Sequence, residues 1–255
     1  MTQYSDYFGP EGLRVRGTVL VVPGRGETRS TYTRFGRRLA ADAYRVRVID
    51  APDLDTEDLT TLAARLSEAA EDTAADTAAD DGVVRPLVLV GADSGAAAVA
   101  ALLDREPGVR PDAVVLAGLP GRSPGTAATA GTWDEELDVR TSCPAHRGAL
   151  TEDPEVRRGA LDDAVPEAVL GAAYDSETAV PTLLLVGDAD PLADHEALAH
   201  AAKSRAAARL SVVHGAHHDV LNDLQHRSAA AEVVTFLETL RNDLRPLVTV
   251  RSSAW

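Results

Sequence analysis

Residues 91–95 read Gly-Ala-Asp-Ser-Gly and follow the apolar run "PLVLVG". Gly91 and Gly95 stand two places either side of Asp93. That is the frame of a nucleophile elbow, Gly-x-Ser-x-Gly, with an aspartate where the serine belongs. Centred instead on Ser94, the frame has Ala92 and Ala96 as its flanking residues. These fit a strained strand-to-helix turn less well than two glycines do. About a hundred residues on, "GDADP" offers Asp190, and Asp188 as a weaker choice, to orient a histidine. "HGAHHDVLND" then offers His214, His217 and His218. Nucleophile, acid, histidine is an order that one fold uses for this chemistry. A carboxylate near its ordinary pKa of about 3.9 is already ionised at neutral pH. Asp93 therefore needs no base to attack an epoxide or a saturated carbon with a good leaving group. A histidine held by Asp190 would then turn water against the resulting ester.

The elements that must position these residues are legible as alternating strands and helices. Apolar runs at 17–24, 85–91, 111–120, 181–188 and 208–215, and the alternating segment 44–50, read as strands. Helical patterns occupy 30–42, 55–76, 94–108, 192–204 and 226–242. This rhythm predicts an α/β fold, a mainly parallel sheet with helices on both faces. Sites in such sheets form at the carboxyl ends of the strands. "PGRGE", "GADSG", "GDADP" and "HGAHHD" all end strands, so all four should meet at one sheet edge. The rhythm breaks over 121–179. The expected organisation is a core of 1–120 and 180–255 with a helical cap of 121–179. The tail "LRPLVTVRSSAW" reads as a further edge strand.

Composition narrows the classes. The chain has 255 residues, is 45% hydrophobic and carries a formal charge of −15. A surface this acidic does not suit nucleic acid or an anionic membrane. No apolar run reaches the roughly 18–20 residues that span a bilayer, and the first dozen residues carry no signal-peptide pattern. A cytoplasmic setting is expected. Cys143 is the sole cysteine, which excludes an internal disulfide. His214, His217, His218 and Asp219 lack the regular helical spacing of zinc hydrolases, so no metal and no cofactor are expected. Oligomeric state is not legible.

Together these segments resemble the α/β-hydrolases of the monoacylglycerol lipase and lysophospholipase-like group. "PGRGETRSTYTRFGRRLAADAYRVRVID" resembles that group's His-Gly-x-Gly-Glu segment, with Pro23 in place of the His. "PLVLVGADSG" resembles its elbow, "PTLLLVGDADPLAD" its acid-bearing strand and "GAHHDVLND" its histidine segment. The resemblance implies a triad of Asp93, His218 and Asp190. It also implies an oxyanion hole made by the backbone N–H groups of Arg25 and Ser94. Gly24 and Gly26 would let that loop approach the substrate. Over 121–179 the likeness is only one of position.

An aspartate nucleophile is used by the related haloalkane dehalogenases and epoxide hydrolases. This chain lacks the Trp that follows the nucleophile in the former, and offers only Tyr174 as a cap tyrosine for the latter. Trp133, His146 and Tyr174 are candidate cap contacts; "SCPAHRGAL" around His146 also reads simply as a helix start with Pro144 in its first turn. The leading expectation is a hydrolase acting through Asp93 on a small, largely apolar molecule such as an epoxide, a halide, or a metabolite ester or lactone. A Ser94-dependent esterase or lipase-like hydrolase is the first alternative. A non-hydrolytic lyase or cyclase, or an inactive binding protein on the same fold, is the second.

Overall fold

The structure is a computed structural model that describes residues 3–55, 57–75, 83–103, 105, 108–122 and 131–252. Among them, seven strands form one sheet: β1 (Ser5–Tyr7), β2 (Thr18–Val22), β3 (Arg45–Val48), β4 (Leu87–Ala92), β5 (Ala113–Ala117), β6 (Thr182–Gly187) and β7 (Ala208–Val213). Their spatial order is β1-β3-β2-β4-β5-β6-β7. Only β1 runs antiparallel to its neighbour. Strands β2 to β6 are buried throughout except at Ala92, which explains the near-continuous apolar sequences of β2, β4, β5 and β6; β3 instead alternates Arg45 and Arg47 with Val46 and Val48.

The two-residue period of the strands sorts these side chains into two layers. Leu20, Leu89, Leu116 and Leu184 face α2 (Leu59–Ala75), α3 (Ser94–Leu103), α6 (Glu167–Asp175) and α7 (His195–Ser204). Val19, Val21, Val88, Val90, Leu183 and Leu185 face α1 (Thr33–Ala41) and α8 (His226–Leu240). The expected α/β-hydrolase architecture is the one observed. Helix α3 is nearly all small residues and is buried over nine of its ten positions. That lets it lie close against the sheet at its centre.

Three elements differ from expectation. The short β1 is an added antiparallel edge. Its Tyr7 packs on Gly36 of α1 and donates to Thr33 Oγ1 at 3.1 Å. The tail at 245–252 pairs with no strand, and Leu247, Val248 and Val250 are exposed. Its apolar alternation has strand propensity, but no strand edge lies against it, so β7 remains the sheet's edge. Within 121–179 lie α4 (Trp133–Arg140), α5 (Pro144–Glu152) and α6. Thr132 opens α4 with a capping box, its side chain and that of Glu135 each accepting from the other's backbone N–H. Helix α6 joins the main core through Leu170, Ala173 and Tyr174. No helix among the described residues is long and apolar enough to cross a membrane.

Candidate active site

The elbow is formed as its glycines suggest. Asp93 sits between β4 and α3 with φ +48°, in the left-handed region. A side chain there is strained, and the surroundings must hold it. Asp93 N–H donates to Ala117 O at 3.0 Å, and Asp93 O accepts from Ala96 N–H at 3.0 Å. A Cβ at Gly91 would stand 2.5 Å from Gly95 O, and one at Gly24 would stand 2.6 Å from Asp93 Cβ. The turn closes only because these positions carry no side chain.

The expected partners converge on Asp93. His218, after β7, places Nε2 3.1 Å from Asp93 Oδ1 and Nδ1 3.0 Å from Asp190 Oδ2. Asp190 follows β6 and also accepts from Leu192 N–H at 2.9 Å. Asp93, Ser94, Asp190 and His218 are all buried. Arg25 N–H donates to Asp93 Oδ2 at 2.8 Å, from the side expected of an oxyanion hole. Ser94 opens α3 directly after the elbow. The other histidines belong elsewhere: His214 pairs with Asp188 at 2.8 Å and His217 with Asp223 at 3.0 Å. Asp188 does not cap α7, a task that falls to Asp194. It stabilises the turn before His218 by accepting from Gly215 N–H.

The charges of this trio are settled by their neighbours. Burial penalises the Asp93 carboxylate, but the Arg25 charge and hydrogen bonds from His218 and Arg25 outweigh it. They hold its carboxyl well below the usual carboxylate range. Burial likewise penalises the His218 imidazolium. The charge and hydrogen bond of Asp190, joined by those of Asp93, push it up to about 10. At neutral pH the resting site is the Asp93 carboxylate held between the His218 imidazolium and the Arg25 guanidinium.

A second buried cluster braces the first, and sequence reading did not find it. Arg140, at the end of α4, donates to Glu136 Oε1 at 2.8 Å and to Arg25 O at 2.8 Å. Its Nη1 lies 3.6 Å from Asp219 Oδ1. His146 Nε2 is 2.8 Å from Asp219 Oδ2. Glu27 accepts from Gly24 N–H at 2.8 Å and from the Tyr32 hydroxyl. Burial and the nearby Asp219 push the Glu27 carboxyl up to about 7. Ligand atoms of Glu27, His146 and Asp219 lie within 4.8 Å of one another, a spacing that a metal could use. The Arg140 guanidinium already supplies the cation there. The i, i+4 spacing of Glu136 and Arg140 was the available signal, but it is usual on solvated helix faces.

The candidate cap contacts each hydrogen-bond to groups other than Asp93. Tyr174 donates to Pro120 O at 3.0 Å. Trp133 donates to Thr151 Oγ1 at 3.0 Å and packs in a small cluster with Leu137, Leu150 and Val156. His146 is held by Asp219. A cavity of about 460 Å³ opens instead beside Arg25 and Ser94, lined by apolar Ala51, Leu54 and Val165 and acidic Asp53, Asp55 and Glu155 among others. A second, of about 10 Å³, lies behind Asp93 between Glu27, Tyr32, His218 and Asn222.

Comparison with known proteins agrees with this fold. The Hydrolase_4 family, described as serine aminopeptidase S33, matches residues 14–225. No curated protein gives a significant sequence match. Among solved structures, the Paleococcus ferrophilus monoacylglycerol lipase superposes with a TM-score of 0.71 at 16% identity, covering 94% of this chain and 99% of that one. A soluble variant of the Saccharomyces cerevisiae monoglyceride lipase gives 0.72 at 15%, covering 93% and 91%. A thermophilic esterase from Thermogutta terrifontis gives 0.63 at 20%, covering 94% and 93%. The chain is thus a hydrolase, and it belongs to the serine aminopeptidase S33 family of α/β-hydrolases.

Proposed function

We propose that this hydrolase works through a covalent ester on Asp93, which His218, oriented by Asp190, hydrolyses. One observation carries the reading. Asp93 Oδ2 accepts the Arg25 backbone N–H at 2.8 Å while Oδ1 faces His218 Nε2 at 3.1 Å. An Asp93 ester in that pose has its carbonyl oxygen already at an oxyanion donor and its carbonyl carbon beside the base. One such donor typically lowers a barrier by about 3–4 kcal/mol.

Electrostatics order the steps. The resting imidazolium has no free nitrogen to accept a proton. Esterification removes the Asp93 charge and one of the two anions that hold the His218 proton. The histidine then titrates at lower pH and becomes a base only after the ester exists. Water attacks Asp93 Cγ as His218 takes its proton, that proton passes to the departing alkoxide, and the proton left on the Asp93 acid then goes to His218, which restores the carboxylate and the imidazolium. The cavity behind Asp93 has about the volume that one water needs, and the buried Asn222 Oδ1 on its wall has no protein partner.

The cavity of about 460 Å³ is the substrate site in this reading, of a size for a small molecule. Residues 121–179 act as its cap, since Glu155, Arg157 and Val165 line it. Its mixed apolar and acidic wall suits a molecule that is only partly apolar.

A second reading has Ser94 attack an acyl ester. The comparisons side with it, because the family is named for serine chemistry and the similar structures are lipases and an esterase. Ser94 also lines the substrate cavity. It requires His218 to exchange Asp93 for Ser94 as its hydrogen-bond partner.

Intact-protein mass spectrometry of His218→Ala, incubated with epoxides, alkyl halides and activated esters, separates the two. A stable alkyl adduct mapped to Asp93 is the expected result. An acyl adduct on Ser94 replaces the first reading with the second, and no adduct on either residue overturns both. Turnover should vanish in Asp93→Asn under the first reading and in Ser94→Ala only under the second.

A further inference from the structure

The Arg25 side chain has no part in the steps above, yet it makes the closest contacts at the site. Its Nε lies 2.8 Å from Asp93 Oδ2 and its Nη2 2.6 Å from Asp93 Oδ1. Its Nη1 donates to Leu161 O at 2.9 Å and Asp163 O at 2.6 Å. The side chain is only 12% exposed, and it forms part of the wall of the large cavity. A carboxylate clasped by a planar guanidinium fork is a poor nucleophile, because both its oxygens are engaged. The clasp must loosen as Asp93 attacks.

The attack itself loosens it. An Asp93 oxygen supplies the electron pair for the new C–O bond, and the bond to the leaving group breaks with its pair. Negative charge thereby passes from Asp93 to the leaving group, and no proton moves. Arg25 both contacts Asp93 and lines the cavity, which Asp93 itself does not line. We propose that Arg25 is a catalytic residue that transfers its ion pair from Asp93 to the departing anion, and that this anion is a carboxylate. The substrate is then an ester or lactone cleaved at its alkyl–oxygen bond.

Two features select a carboxylate. The guanidinium fork matches a planar anion with two oxygens better than a halide or a lone alkoxide. Asp55 and Glu155 in the cavity wall, where Asp163 is already paired with Arg157, repel a dianion such as a phosphate monoester more than a singly charged carboxylate.

This inference rests on the Asp93 reading, but its test needs no turnover. Asp93→Asn imitates the alkylated aspartate: the carbonyl stays and the charge is gone. Calorimetry should show benzoate binding Asp93→Asn at least about tenfold more tightly than the wild type. Adding Arg25→Gln should abolish that gain, and Arg25→Lys should restore part of it. Phenyl phosphate should bind more weakly than benzoate. Benzoate binding that is no tighter in Asp93→Asn, or is unchanged by Arg25→Gln, overturns the proposal. Preference for phenyl phosphate overturns the assignment of a carboxylate. Anion binding through Arg25 without any Asp93 adduct in His218→Ala would instead reject the nucleophile and leave the anion site standing.

Discussion

His218 is held between two carboxylates, at 3.0 Å and 3.1 Å, and this contact dominates the chemistry of the resting site. Nitrogen NMR at pH 8 should show both ring nitrogens protonated, with titration only near pH 10. The folded value lies above the ordinary 6.5, so the pairing adds stability that is fully present below about pH 6.5. That stability is lost as pH rises through about 10. Melting temperatures across this window should fall with pH, and Asp93→Asn should flatten the slope. A flat wild-type profile would mean that the imidazolium is not the resting state. Asp93 works in the opposite sense. Its depressed carboxyl contributes stability above the ordinary carboxylate range, lost as acid drives pH down through its lowered value. That Asp93, Asp190 and His218 come together was legible because each follows a strand in a polar or glycine-rich turn. The guanidinium of Arg25 was not, since only its backbone N–H belongs to the motif.

At the scale of elements, α4 ties the segment after β5 to the loops that carry Arg25 and His218. Its Arg140 grips the Arg25 carbonyl, and the carbonyls of Val139 and Arg140 accept from His218 and Asp219 N–H groups at 3.3 Å and 2.8 Å. Glu136 and Arg140 side chains are each 1% exposed. Removing one member of such a buried pair strands the other's charge, so Arg140→Leu should cost about 3–5 kcal/mol in urea unfolding. Arg140→Leu with Glu136→Leu should be more stable than the single variant. Gly24→Ala tests the other support. A methyl group there meets Asp93 Cβ, and such overpacking typically costs about 1–3 kcal/mol. Activity should fall further than stability if Asp93 is the nucleophile as proposed, because the collision falls on its Cβ. Alternation of strand and helix was legible from apolar runs. The brace on α4 was not, because nothing local distinguishes its buried Glu–Arg pair from a solvated one.

The whole molecule carries 40 acidic side chains against 25 basic ones. Its net charge of −15 opposes compaction through self-repulsion. Raising sodium chloride from about 0.01 M to about 0.15 M shortens the Debye length from about 30 Å to about 8 Å. The melting temperature should rise over that range, while the buried contacts of Asp93, Arg25 and His218 stay intact. An unchanged or falling melting temperature would show that surface repulsion is not a significant term.

Sequence alone determined the doubly covered parallel sheet, the strand ends that converge, and Asp93, Asp190 and His218 as their polar cargo. Those features are local: an apolar run makes a strand, and paired glycines make a sharp turn. Tertiary structure decided the environment of those residues. It closed Arg25 onto Asp93, set a second carboxylate against His218, and buried Glu27, Arg140 and Asp219 together behind them. It also turned Tyr174 into the core layer and left the tail unpaired. The reason is distance along the chain. Arg25 and Asp93 are 68 residues apart, and Asp93 and His218 are 125 apart. A charge pair formed by such remote residues leaves no period or spacing to read, and its strength depends on burial that only the packed molecule creates.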